Sequence, residues 1–267
     1  MKKVLRKTLR EILKQLCIIA IKKHSLEIIC VGGWYGTDIT REAVYTILKK
    51  SGMTVRRNIH SPQIDFDIPL TILGIRSTPT YIASWLYQIM LSIIRLIFLR
   101  PVASILVLQV NTQDAGIMKY WMSFLESYIV IMLNSHVGTL NLELLLVERL
   151  KQVGGLILSN DNIRTKSLGQ GKKGVIFFGE QKLNKKPPDF SFSMERVANN
   201  VYLTIHHGME HQVIDKTFPE FILPFLTAAT AITTIYPISL QEACSALCSF
   251  ELPSDKIEKI FHRFLVE

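Results

Sequence analysis

A short apolar run, broken by glycines and followed at once by a helical pattern, constrains this chain more than any other stretch. Residues 26–50 read LEIICVGGWYGTDITREAVYTILKK. Leu26, Ile28, Ile29, Cys30 and Val31 predict a buried strand, and Gly32, Gly33 and Gly36 break it. Ala43, Val44, Ile47 and Leu48 then recur at helical spacing, with Asp38 or Thr40 as the expected cap. Strand, glycine turn and helix is the layout in which backbone N–H groups and a helix N-terminus hold a phosphate. A working loop of that kind ends Gly-Lys-Ser/Thr, the lysine neutralising phosphate charge and the hydroxyl holding Mg²⁺. Thr37 and Asp38 stand in those two places. Two like charges about 4 Å apart repel by about 1 kcal/mol in water and several-fold more in a drier site. A bridging metal would offset Asp38; without one, the loop keeps its shape and loses its chemistry.

Strand and helix patterns alternate beyond it. Ser104–Val110 (SILVLQV) and Ser127–Leu133 (SYIVIML) read as central parallel strands on either side of a helix at 115–126. Leu140–Gln152 reads as a leucine-rich helix ended by Gly154 and Gly155, and 156–158 and 175–178 as short strands flanking a basic, glycine-rich loop. The expected fold is α/β, a doubly wound and mostly parallel sheet with ligands at the carboxyl ends of its strands. VYLTIHHGMEHQVIDKTF adds a small antiparallel hairpin turning near His207-Gly208-Met209. Residues 58–80 read as loop around the apolar piece IPLTILGI. Phe221–Phe250 reads as helical, with a capping box of Ser239 and Glu242, and 254–267 as a last short helix. Two parts are expected: a basic amphipathic helix over 1–25, then an α/β domain over 26–267 whose antiparallel and helical part begins at about 189.

The net charge of +9 gathers in the first 25 residues and in 166–186, which favours anionic partners. No aromatic-interleaved basic motif accompanies it, so nucleic acid is not an expected partner. In residues 2–23, Leu5, Leu9, Ile12, Leu16 and Ile19 form one stripe and Lys3, Lys7, Arg10 and Lys14 another. A helix packed on the domain with a solvated basic face is preferred to one bound to an anionic membrane surface. Tyr81–Arg100 is the most apolar segment, but Ser84, Gln88, Ser92 and Arg95 fall on one helical face. A docked amphipathic helix is expected there, with membrane-surface attachment as the runner-up and a membrane span third. Cys17, Cys30, Cys244 and Cys248 lack metal-ligand pairing and suit a reducing cytoplasm. No cleavable leader is evident, so the expected location is cytoplasmic, with membrane association left open. His206, His207, Glu210 and His211 read as a hairpin tip in preference to a metal site, His136 as a core or loop residue, and Asp65 with Asp67 as a carboxylate pair without a partner base.

Four stretches carry a resemblance by their order and spacing: ICVGGWYGTDITRE, IPLTILGI, ILVLQVNTQDAGIMKYW and FLTAATAITTIYPISLQEACSALCSFELPSDKIE. From about Leu5 to about Ile257 the chain resembles the central ATP-binding domain of the Mur ligases, most of all the MurF type that attaches a D-Ala-D-Ala dipeptide to the peptidoglycan precursor. The resemblance implies ATP-driven amide formation through an acyl phosphate, with ATP and Mg²⁺ as cofactors. It implies nucleotide contacts at the loop positions Gly33, Tyr35, Gly36, Thr37, Asp38 and Ile39, and base-side contacts at Ser159 and Asp161. Thr37 and Asp38 match the family's lysine and Ser/Thr, and Glu42 its helix-opening glutamate. The metal-binding glutamate falls on Gln109, which offers an oxygen without charge. Thr139 falls on a histidine that approaches a second metal, and no lysine corresponds to the carbamoylated one. No C-terminal ligase domain is expected after Glu267. These replacements predict a degenerate, non-catalytic Mur-ligase-like domain with a binding or scaffold role, touching active cell-wall ligases. The alternatives are an active ligase with atypical ATP contacts or a separate C-terminal partner, and a membrane-surface interaction protein.

Overall fold

The strand of the glycine stretch lies in the interior of the sheet. The structure, a computed structural model, describes residues 3–58, 64–75, 78–98, 103–110, 114–136, 138–181, 187–197 and 200–251. β1 (Glu27–Gly32) pairs in parallel with β3 (Ile105–Gln109) on one side and β4 (Ser127–Met132) on the other. β2 (Val55–Arg57) flanks β3, while β5 (Leu150–Ser159) and β6 (Val175–Glu180) extend the parallel array past β4. β7 (Phe190–Val197) joins β6 in parallel, and β8 (Asn200–His207) and β9 (Glu210–Ile214) follow antiparallel. Among the described residues the order is β2-β3-β1-β4-β5-β6-β7-β8-β9. This is the doubly wound, mostly parallel sheet that the alternating patterns predict, and the hairpin turns at Gly208 (φ +60°) as expected.

Successive side chains of a strand point to opposite faces, and the core divides accordingly. Ile29, Val31, Val107 and Ile131 lie under α2 (Thr37–Lys50), α8 (Leu223–Thr230) and α9 (Leu240–Cys248). Ile28, Cys30, Leu106 and Val130 lie under α1 (Lys3–His24), α3 (Ile64–Ile72), α5 (Ala115–Met122) and α6 (Leu140–Glu148). α4 (Ile82–Phe98) joins this second layer through Trp85 and Leu96. Both faces of a central parallel sheet must be covered, which is why these strands read as unbroken apolar runs.

Several local expectations need correction. The face of α1 that enters the core is Leu9, Leu13, Leu16, Cys17 and Ala20, whereas Leu5, Ile12 and Ile19 are exposed. Residues 64–72, expected as loop, form α3 despite Pro69. The proline withholds the N–H that would reach the Asp65 carbonyl, and the Trp121 indole donates to that oxygen instead at 3.2 Å. Residues 150–155 belong to β5, not to the preceding helix; a register shift opposite Ser127–Ile129 accommodates them, and a Cβ at Gly154 would lie 2.3 Å from the Tyr128 carbonyl. The glycine-rich loop holds the short α7 (Ile163–Ser167). Gly36 (φ +77°), not Asp38 or Thr40, caps α2. The 254–267 helix expected from sequence, like residues 182–186 of the basic stretch 166–186, lies outside the described residues.

Candidate functional site

The chain leaves β1 toward one side of the sheet and reaches β4 on the other, so their carboxyl ends frame a crevice. Two loops meet there. In the first, Gly33 (φ +144°) and Gly36 (φ +77°) take backbone conformations that L side chains rarely adopt. A Cβ on Gly36 would lie 2.3 Å from the Phe225 ring, so the glycine also lets α8 close on the loop. In the second loop, Asn134 faces the first: its Oδ1 accepts from the Trp34 and Tyr35 N–H groups at 2.6 and 3.1 Å, and its Nδ2 donates to the Tyr35 carbonyl at 3.0 Å. His136 stacks on Trp34 with centroids 4.6 Å apart.

On the α2 side the loop runs into a polar network. Gln109 Nε2 donates to the Thr37 hydroxyl at 2.7 Å, and Gln109 Oε1 accepts from Arg41 at 3.0 Å. The Arg41 guanidinium, only 3% exposed, also pairs with Glu42 at 2.7 Å and lies 3.9 Å from Asp38. Glu42 in turn takes Arg57 at 2.6 Å, and Arg57 sits over the Tyr45 ring at 3.9 Å. Two guanidinium groups and two carboxylates therefore balance within the network.

Toward β5 and β6 the crevice opens into a cleft of about 450 Å³. Tyr35, Phe178, Phe192, Phe221 and Phe225 give it aromatic walls, and Asn134, Ser159, Asp161, Glu180 and Glu220 its polar edge. Among the described residues that line it there is no lysine or arginine. Asp161 is held by the Glu180 N–H at 2.9 Å, and its carboxylate fills the space a Cβ on Gly179 would need. Beside the crevice, Glu143 is fully buried. Thr139 donates to its Oε1 at 2.7 Å, while Oε2 and the nearby Ser135 hydroxyl fall short of hydrogen-bond geometry. Burial raises the pKa of this carboxyl, against the opposing pull of Ser135, Thr139 and His136.

Over 93% of its length the chain superposes on MurF from Acinetobacter baumannii with a TM-score of 0.70 at 15% identity. Over 92% it superposes on the MurF ligase of Thermotoga maritima in complex with ADP, with a TM-score of 0.70 at 13% identity. The fold is that of the Mur ligases. A pseudomurein peptide ligase type C from Methanothermus fervidus also matches, with a TM-score of 0.59, 15% identity and 88% of the chain covered. The chain spans about half the length of these Mur-ligase structures, 51%, 53% and 51% respectively. No family model matches the sequence, and no curated protein does.

On this Mur-ligase fold the sequence-derived positions separate into three places. Tyr35, Ser159 and Asp161 share the cleft. Thr37, Asp38 and Gln109 join the Arg41 network. Ile39, in the first turn of α2, is 1% exposed and packs in the core. Gly33 and Gly36 shape the loop that follows β1. Sequence reasoning missed Asn134, Arg41 and Phe225. Asn134 directly follows the β4 run at a strand's carboxyl end, a readable signal; nothing in the local sequence sets Arg41 apart from a surface charge on a helix; Phe225 comes from 185 residues beyond Thr40, whose hydroxyl donates to its carbonyl at 3.1 Å. The histidines of the hairpin take separate partners: His206 bonds Ser193 at 2.8 Å and His207 stacks on Phe190. Among the described residues no group of three or more His, Cys, Asp or Glu is placed to hold a metal ion.

Proposed function

We propose that this chain is a non-catalytic binding domain on a Mur-ligase fold, descended from an ATP-dependent amide-forming ligase. One observation carries the reading: Thr37 and Gln109, which stand where the resemblance puts the phosphate lysine and the metal carboxylate, are hydrogen-bonded to each other at 2.7 Å. Gln109's oxygen is occupied by a buried guanidinium, so a divalent ion at that oxygen would meet a positive charge. The Trp34 and Tyr35 amides that a phosphate would use already donate to Asn134. These residues do not fit Mg-ATP. The cleft retains aromatic walls and three carboxylates, Asp161, Glu180 and Glu220. That chemistry suits an uncharged or cationic ring better than a polyphosphate. The role is to hold a ligand or an active ligase partner, with any peptidoglycan connection entering through that partner.

The cleft, together with the ADP complex of the Thermotoga maritima neighbour, supports the second reading, a ligase with atypical nucleotide contacts or one completed by a separate chain. A turnover assay separates the two. The full chain is incubated, alone and with the C-terminal domain of a MurF ligase supplied as the completing chain, with Mg-ATP, a muropeptide carboxylate and a D-Ala-D-Ala amine, and ADP release is followed. No ADP above the protein-free rate is expected, whereas acceptor-dependent ADP release would establish the ligase reading.

A further inference from the structure

α4 is amphipathic in the reverse sense. Its polar stripe turns inward: Ser92 is 1% exposed and donates to the Gln88 carbonyl, and Arg95 reaches the Gly74 carbonyl. Its apolar stripe turns outward, with Ile82, Leu86, Met90, Ile93 and Ile97 exposed at 41–64%. Successive spacings of four, four, three and four place these five on one helical face. Soluble surfaces rarely carry so long an apolar face uncovered. α1 extends it. Lys23 donates to the Leu96 and Ile97 carbonyls, so the side of α1 carrying Lys23 abuts α4. Leu5, Ile12 and Ile19 recur on that same side and are also exposed.

We infer that α4 and α1 dock this protein on an anionic lipid surface, lying in the interface with α4's apolar face in the acyl boundary. The charges around the face select the occupant. Residues 1–25 hold eight lysines and arginines against Glu11, with Arg6 and Arg10 held by Asp65, and no acidic residue occurs between Asp67 and Asp114, a span that contains all of α4. Lys7, Lys22 and Lys23 are exposed. A rim of net positive charge complements anionic headgroups and is pulled toward them as the apolar face inserts. A second copy pairing the same face would set cationic α1 against cationic α1, which disfavours a dimer. Tyr81 and Tyr87, exposed at the start of α4, have the apolar ring and polar tip that settle at headgroup depth. No helix among the described residues is long and apolar enough to cross a membrane, consistent with a helix that lies on it.

The inference is independent of what the cleft binds, so its test stands apart from any nucleotide measurement. The full chain is sedimented with vesicles of mixed phosphatidylglycerol and phosphatidylcholine, and with phosphatidylcholine alone. Binding to the anionic vesicles, weakened at high salt, is expected. Leu86→Glu with Ile93→Glu lowers it about tenfold or more, and Lys7→Glu with Lys22→Glu lowers it at low salt while leaving the apolar face intact. Thermal melts of both variants show whether the fold is kept; should the α4 variant unfold, the lysine variant and the salt series decide. Binding to neither vesicle, or equally to both at every salt, overturns the proposal. So does a concentration-dependent dimer in sedimentation equilibrium that the α4 variant abolishes, which would assign the face to a second copy.

Discussion

Burial sets the reactivity of individual side chains here, and the cysteines show it first. Burial pushes the Cys30 and Cys244 thiols up to about 12 and raises Cys17 as well, while Cys248 is the partly exposed one. A thiol titration with Ellman's reagent at pH 8 should therefore give a single fast thiol, lost in Cys248→Ser; several fast thiols would mean a looser core. Asp65 is the second case. Burial pushes its pKa up, but hydrogen bonds from Arg6 and Arg10 at 2.8 Å, with their charges, outweigh it and leave the carboxyl below its ordinary value. A depressed folded pKa contributes stability that is full above the unfolded value near 3.9 and lost as pH falls through the folded one. Asp65→Asn should cost about 2 kcal/mol at pH 7, discounted for the half-exposed Arg6, and the difference should shrink in melts toward pH 3. Glu143 has the opposite sign. Its raised pKa makes the charged form costly, so stability falls as pH rises above the unfolded value near 4.3. Glu143→Gln should be more stable than the natural chain by about 1 kcal/mol at pH 8, with the gap closing below pH 4. A destabilised variant at pH 8 would show that the carboxylate is needed charged.

Elements came through from the sequence where period and punctuation agree. Leu26–Val31 with its glycines, the two central strands and the Ser239–Glu242 capping box all lie where local pattern puts them, because burial on both faces and a reciprocal cap are local signals. α3 was illegible for a tertiary reason: a proline in a helix is tolerated here because Trp121, 56 residues away, serves the freed carbonyl. Trp121→Phe should orphan that oxygen and lower stability by about 1–2 kcal/mol in denaturant titration. α4 was legible as a helix with a polar stripe, but which stripe faces inward depends on packing against α1 and α3, and that inverts the ordinary rule. The site was half legible. Glycine positions and Thr37 could be read, yet the partners that define them, Asn134 and Phe225, arrive from distant loops. Gly36→Ala illustrates the dependence: positive φ and the ring at 2.3 Å should together cost about 3 kcal/mol, where an exposed left-handed glycine would cost about 1.

Across the whole molecule, the carboxyl ends of the parallel strands, where sheets of this kind take their ligands, frame a cleft of about 450 Å³ with aromatic walls. On the proposed reading, what differs from a phosphate-binding loop is the chemistry at the positions that the resemblance assigns to phosphate and metal contacts. The cationic position is Thr37, the adjoining charges are balanced internally through Arg41, and the loop amides are taken by Asn134. The most direct test is calorimetric titration of Mg-ATP into the natural chain and into a Thr37→Lys, Asp38→Thr, Gln109→Glu variant that returns the missing groups. The account predicts no measurable heat of binding for the natural chain, and binding restored once Asn134→Ala in the variant also frees the Trp34 and Tyr35 amides. Micromolar binding of Mg-ATP by the natural chain would contradict it and make the protein a working nucleotide-binding domain.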